Sequence, residues 1–450
     1  MSQGDEGIDN RGTWATRTGF ILAAVGSAVG LGNVWRFPFV VGESGGAAFL
    51  VVYLALVVLI GFAAMLAEFV IGRHTALNPV GALRSYGGRP WRYIGGLFVL
   101  TGIVVLSFYA VAAGWAVRYT AGSLTGAYMD DPEAYFGLIS MGPDAVALQV
   151  LFMALTVGIV AFGIQRGIEL AVTVMVPAII VLIIGLAVYA ATLPGAGSGY
   201  GFYLTPDVDV ILEDWRTILP SAAGQAFFTL SLGMGAMITY ASYLGSDRNL
   251  GEDGAIIVGL DTGIAIVVGF VVFPFLAVAA IDPGEPGPGA VFVSLSQAFG
   301  DITGGWLLGF VFFLVLSLAA LSSAISLLEV VVSFAIDEWG VDRRVAAIGL
   351  GVLIVVIGIP TGLDIEVLAL YDELAANVLL LLGGIIIVVL VAWAQPDRSI
   401  EELNKGIGDL GRWGTVWLWL LRVPVLLVLV IALGLAVVGF IEALEAFVAS

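Results

Sequence analysis

Uncharged, apolar stretches follow one another along almost the whole chain, separated by short polar segments. They are continuous and lack the period-two alternation of barrel strands, so each reads as a helix long enough to cross about 30 Å of hydrocarbon. About eleven are predicted, at roughly 15–41, 46–72, 91–122, 145–163, 168–192, 216–244, 254–280, 304–336, 343–360, 366–393 and 416–446. The expected fold is an all-α polytopic membrane protein.

Composition supports lipid as the solvent. With 60% hydrophobic and 12% charged residues, the 450-residue chain has more apolar surface than a soluble fold of its size can bury. The first apolar stretch contains Arg36 and Pro38 and lacks a small-residue cleavage site, so it is expected to persist as helix 1 rather than act as a signal peptide. There is no cysteine and one histidine, His74, which leaves disulfides, thiol catalysis, zinc clusters and haem attachment without raw material. No HExxH, Walker loop or nucleophile elbow occurs. Neither an enzyme nor a nucleic-acid partner is expected.

Charge orients the helices. With a cytoplasmic N-terminus, all Lys and Arg except Arg36, Arg118 and Arg216 fall on inner segments, while outer loops carry acids such as Asp130, Asp131, Glu133, Asp207 and Asp214. An odd helix count then leaves the C-terminus outside. A net charge of −18 with a single lysine is unusual beside anionic lipid, and suggests a high-salt source.

Two of the predicted helices look interrupted. Helix 1 reads GSAVGLGNVWRFP from Gly26 to Pro38, and helix 6 reads GQAFFTLSLGMG from Gly224 to Gly235. Glycines in small-xxx-small runs often serve only close helix packing. Two matching runs about 200 residues apart point instead to broken helices whose free backbone groups line a cavity between inverted repeats. The expected divisions are a cytoplasmic segment 1–13, a first five-helix repeat 14–193, an extracellular loop 194–215, a second inverted repeat 216–394, a cytoplasmic loop 395–415, and helix 11 with an extracellular C-terminus, 416–450.

WATRTGFILAAVGSAVGLGNVWRFPFV, from Trp14 to Val40, and GQAFFTLSLGMGAMITYASY, from Gly224 to Tyr243, resemble the neurotransmitter:sodium symporter family with the leucine-transporter fold. The resemblance runs from Arg11 to about Ala446. It implies a sodium-coupled symporter in the cell membrane that imports a small amino acid by alternating access. Ser27 and the adaptable Met234 favour a hydrophobic or aromatic L-amino acid. A small osmolyte such as glycine or taurine, or a receptor that senses an amino acid without moving it, are the alternatives. Oligomeric state is not legible.

The resemblance also implies a site, residue by residue. Two sodium ions are expected. The first would be held by the Ala28 carbonyl, Asn33, Thr229, Asp261 and the substrate carboxylate; the second by the carbonyls of Gly26, Val29 and Ala319 with the hydroxyls of Ser322 and Ser323. A serine pair in a membrane helix otherwise bonds back to the preceding turn. The substrate carboxylate would meet backbone N–H groups near Leu31 and Gly32 and the Tyr109 hydroxyl, and its ammonium the carbonyls of Ala28, Phe228, Thr229 and Ser231. Ser27, Val105, Phe228, Met234, Ser323, Ser326 and Leu327 would surround its side chain.

Arg36 is costly inside an apolar span and needs a partner. The resemblance supplies Asp372, with Gln225 nearby, as the outer gate, and Arg11 with Asp337, Trp14 and Tyr243 as the inner one. Gly167 and Pro177 match a family feature that lets the inner end of helix 5 unwind. The chain departs from the family at Asp261, where Asn is common, and at Ala265, where chloride-dependent members have Ser. Chloride is therefore not expected to be required. Glu68 is expected to hold helix 6 backbone, and Glu329 has no assigned role.

Overall fold

A computed structural model describes residues 13–284, 289–406, 408 and 410–449, and among them there are helices and no strands. Among the described residues, nine helices are long and apolar enough to span a membrane: helix 2 (Ala47–Thr75), helix 3 (Trp91–Ser123), helix 4 (Pro143–Val160), helix 5 (Ile164–Ala190), helix 7 (Leu250–Val278), helix 8 (Gly305–Trp339), helix 9 (Arg343–Leu363), helix 10 (Ile365–Ala394) and helix 11 (Arg412–Ala449). Helix 1 is a tenth span made of two pieces, Arg17–Ala28 and Gly32–Glu43, bent by 42°. The eleventh expected helix, helix 6, is split into Trp215–Thr229 and Ala236–Ala241, each too short to span alone. Neither predicted break is bridged by regular helix.

Polar side chains start the helices. Thr16 caps helix 1, Asn249 helix 7 and Asp342 helix 9, each accepting a backbone N–H that the first turn leaves without a partner. Asn78 does the same for the short helix Pro79–Gly87 between helices 2 and 3.

Burial separates the helices into an inner and an outer set. The most apolar part of helix 8 is 72% buried against helices 1, 3 and 5, whereas that of helix 11 is 22% buried. Helix 11 turns Leu427, Val430 and Val438 outward, as a helix solvated by lipid can. Helices 1, 3, 6 and 8 thus form the centre, and both breaks lie inside it.

Candidate substrate and cation site

The two breaks create the site. Helix 1 stops at Ala28, Val29 leaves the helical region with φ −76° and ψ 83°, and winding resumes as a wide turn over Gly32–Arg36. Helix 6 stops at Thr229 and resumes at Ala236. Between these, Ser231 (φ 53°), Gly233 (φ 76°) and Gly235 (φ 79°) all take left-handed backbone. For Ser231 that conformation carries a steric cost, which its bonds offset: its N–H donates to Phe228 O at 3.1 Å and its hydroxyl to Ser27 O at 2.8 Å. Each break presents the carbonyl end of one half-helix and the amide end of the next, so partial negative and positive charge lie close together.

Between the breaks is a small cavity, lined by Ser27, Ala28, Gly30, Gly32, Val105, Tyr109, Phe228, Ser231, Met234, Ser323 and Leu327. All of these except Gly30 are residues the sequence assigned to substrate. Gly30 is indispensable to the shape: a Cβ there would overlap the Ser323 hydroxyl and lie 2.7 Å from the Tyr109 hydroxyl. Gly30 belongs to the glycine run that the sequence reads as the helix 1 break, but it is not among the residues assigned to substrate. Three assigned residues lie just outside the lining. Leu31 donates its N–H to the Tyr109 hydroxyl at 3.0 Å, Ser326 accepts from the Ser27 hydroxyl at 2.7 Å, and Thr229 turns toward Asp261.

Beside the cavity, Asn33, Thr229 and Asp261 form a closed group. Thr229 Oγ1 lies 2.9 Å from Asn33 Oδ1 and 3.1 Å from Asp261 Oδ2, and Asn33 Nδ2 donates to Asp261 Oδ1 at 2.9 Å. All three are fully buried, and among the described residues no Lys or Arg pairs with Asp261. A buried carboxylate left among neutral donors costs several kcal/mol, a cost that a bound cation could relieve. Carboxylate, amide and hydroxyl oxygens suit a hard cation. No cluster of three or more His, Cys, Asp or Glu occurs among the described residues, and that is the pattern a transition metal would need.

A second oxygen cluster joins helix 1 to helix 8. Ser322 Oγ lies 2.9 Å from Ala319 O and 3.4 Å from Val29 O, while Ser323 Oγ lies 2.7 Å from Ser27 O and 3.3 Å from Gly26 O. Ser322 thus does bond back to its own helix, and it simultaneously faces the helix 1 break.

Arg36 is 3% exposed and meets Asp372 at 3.2 Å, Gln225 Oε1 at 2.8 Å and the Phe228 ring at 5.4 Å from its centroid. Gln225 Nε2 donates in turn to Gly32 O at 2.8 Å, tying the pair to the helix 1 break. On the opposite side, Trp14 donates to Tyr240 O at 3.0 Å and packs edge-on against Tyr243. The expected partnership of Arg11 cannot be placed, because Arg11 lies outside the described residues; Asp337 Oδ2 accepts from the Asn78 backbone and side chain, each at 2.9 Å. Tyr243 donates to Glu329 at 2.6 Å, and Glu329 is paired with Arg343 at 2.6 Å. Glu329 therefore joins helices 6, 8 and 9. Glu68 Oε1 accepts the Gly233 N–H at 2.7 Å.

The family model described as "Sodium:neurotransmitter symporter family" matches residues 11–130 and 137–445. An uncharacterised sodium-dependent transporter of Bacillus subtilis is 33% identical over 95% of this chain and 98% of its own. One of Methanocaldococcus jannaschii is 35% identical over 94% of this chain and 90% of its own. The crystal structure of MhsT in complex with L-phenylalanine superimposes with a TM-score of 0.88 at 41% identity, covering 95% of this chain and 100% of that one. Broken helices, buried oxygen clusters and these likenesses agree: the chain belongs to the sodium:neurotransmitter symporter family, multi-pass membrane transporters of the leucine-transporter fold that use sodium and are not enzymes.

Proposed function

We propose that this chain imports a hydrophobic or aromatic L-amino acid together with two sodium ions by alternating access. The reading rests above all on one observation: a buried Asp261 without a protein cation lies beside a cavity whose walls are Val105, Phe228, Met234 and Leu327. L-phenylalanine in the similar MhsT complex supports the same substrate class. In this reading Asn33, Thr229, Asp261 and the Ala28 carbonyl hold the first sodium with the substrate carboxylate. Gly26, Val29, Ala319, Ser322 and Ser323 hold the second. Sharing one carboxylate between ion and amino acid makes each raise affinity for the other.

Arg36 with Asp372 and Gln225 closes the outer path, and Trp14, Tyr243, Asp337 and Arg11 close the inner one. Asp261 supplies the negative charge that chloride provides in other members, so chloride is not required. The N-terminus is cytoplasmic and the C-terminus extracellular, the two five-helix repeats meet at the site, and the acidic surface suits high salt.

Uptake of labelled L-phenylalanine into proteoliposomes, with and without an inward sodium gradient and against a panel that includes glycine and taurine, is the test. Sodium-driven accumulation competed by large apolar amino acids is expected. Competition by glycine or taurine alone would replace the substrate class, and binding without accumulation would make the protein a sensor.

A further inference from the structure

The cytoplasmic lead-in to helix 1 is fastened to helix 5 by one carboxylate. Glu169 is 8% exposed and ends the wide turn Ile164–Glu169. Its Oε2 accepts the Ala15 N–H at 2.9 Å and its Oε1 the Thr16 hydroxyl at 3.0 Å. Thr16 Oγ1 itself accepts the Gly19 N–H at 2.8 Å, so the residue that caps helix 1 is the one Glu169 grips. Four residues earlier, Gln165 Nε2 donates to Thr13 O at 2.9 Å. Among the described residues Glu169 forms no ion pair; its charge is met by uncharged donors and by the positive end of helix 1.

The fit is close. A Cβ at Gly19 would overlap the Glu169 carboxylate, and a Cβ at Gly26 would lie 3.0 Å from Val176. Residues 169–176 of helix 5 therefore cover helix 1 from Gly19 to Gly26, one of the carbonyls assigned above to the second sodium. Glu169 is also two residues beyond Gly167, where a Cβ would overlap the Ile159 carbonyl. Any unwinding of this turn must carry Glu169 away from Ala15 and Thr16.

We propose that Glu169 is a positioning residue that latches the inner half of helix 1 shut, so that loosening of helix 5 and release of helix 1 from the second sodium are a single event. The inference rests on the transport reading above, but its test does not use the amino acid.

The chain has no cysteine, so a single reporter thiol is unambiguous. Ala23 is fully buried and lies between Gly19 and Gly26 on the face turned to helix 5. In an Ala23→Cys background, the maleimide labelling rate is measured in detergent across a sodium titration. Glu169→Ala should raise the rate in sodium by roughly tenfold or more, the effect of losing charge-assisted hydrogen bonds. Glu169→Gln keeps one acceptor oxygen and should lie between. Thr16→Val, which leaves the carboxylate in place, should raise the rate too and decides the matter should the Glu169 variants fail to fold. Parental labelling in the folded variants would overturn the latch. Absent uptake by the parent protein, with labelling raised in the variants, would instead sink the substrate reading and leave the latch standing.

Discussion

Arg36 and Asp372, 336 positions apart in the chain, meet at 3.2 Å between Nε and Oδ2 above the Phe228 ring. The contact spans the broken helix 1 and helix 10. Because both groups are largely buried, removing one leaves the other uncompensated, at a cost of about 3–5 kcal/mol. Arg36→Gln is expected to lower the melting temperature and abolish uptake. The double variant Arg36→Gln with Asp372→Asn should recover part of the stability and none of the transport; full additivity in a thermal double-mutant cycle would mean that the pair does not interact.

Asp261→Asn removes the one full negative charge from the group around Asn33 and Thr229. The concentration of sodium giving half-maximal uptake should rise by about tenfold to a hundredfold, the effect of losing a charged partner worth about 1.5–3 kcal/mol. Uptake by the variant should become stimulated by chloride. Unchanged responses to both ions, read from ion titrations in proteoliposomes, would remove Asp261 from the first cation site.

Gly30→Ala puts a methyl group against Ser323 and Tyr109, in the space where the cavity narrows. Substrate binding should fall at least about tenfold while the fold persists, because overpacking at one position costs about 1–3 kcal/mol. Equilibrium binding of labelled amino acid beside a thermal melt separates the two effects.

Glu402, in the short helix Pro396–Asn404 between helices 10 and 11, receives the chain's one histidine and its one lysine: His74 at 3.0 Å and Lys405 at 2.6 Å, with Arg73 at 2.7 Å. Burial alone would raise its carboxyl, but these three donors outweigh burial and hold it down to about 2. A depressed carboxylate stabilises the fold fully above its ordinary value near 4.5 and loses that contribution as pH falls toward 2. Parent protein should therefore lose melting temperature between pH 5 and pH 3 more steeply than Glu402→Gln, which should start lower and respond less.

The breaks were legible because they are written in local residues. Gly30, Gly32, Gly233 and Gly235 interrupt otherwise apolar helices, and the serines near them are polar where lipid would exclude them. The all-α fold followed from the same pattern. Pairings between distant segments were not legible. Glu329 meets Arg343 across the corner between helices 8 and 9 and Tyr243 across 86 residues, and neither partner carries a periodic signal. Glu169 reaches Ala15 and Thr16 across more than 150 positions in the same way. Nor did the sequence announce the wide turns at Val57–Gly61 in helix 2 and at Glu373–Leu379 and Val389–Ala394 in helix 10, which lack proline. Such turns arise where packing shifts a helix by one residue, and composition does not record that.

A bound halide would leave with the cargo, whereas on the proposed cycle the Asp261 carboxylate, being bonded to the chain, makes the journey in both directions. On the proposed cycle the loaded protein, with two cations, a zwitterion and this fixed anion, carries one net positive charge inward, and the empty protein carries one net negative charge back. Membrane voltage, at about 2.3 kcal/mol per charge per 100 mV, then drives both limbs of the cycle rather than one. Electrical recordings would register the vacant carrier's turnaround as a current of its own.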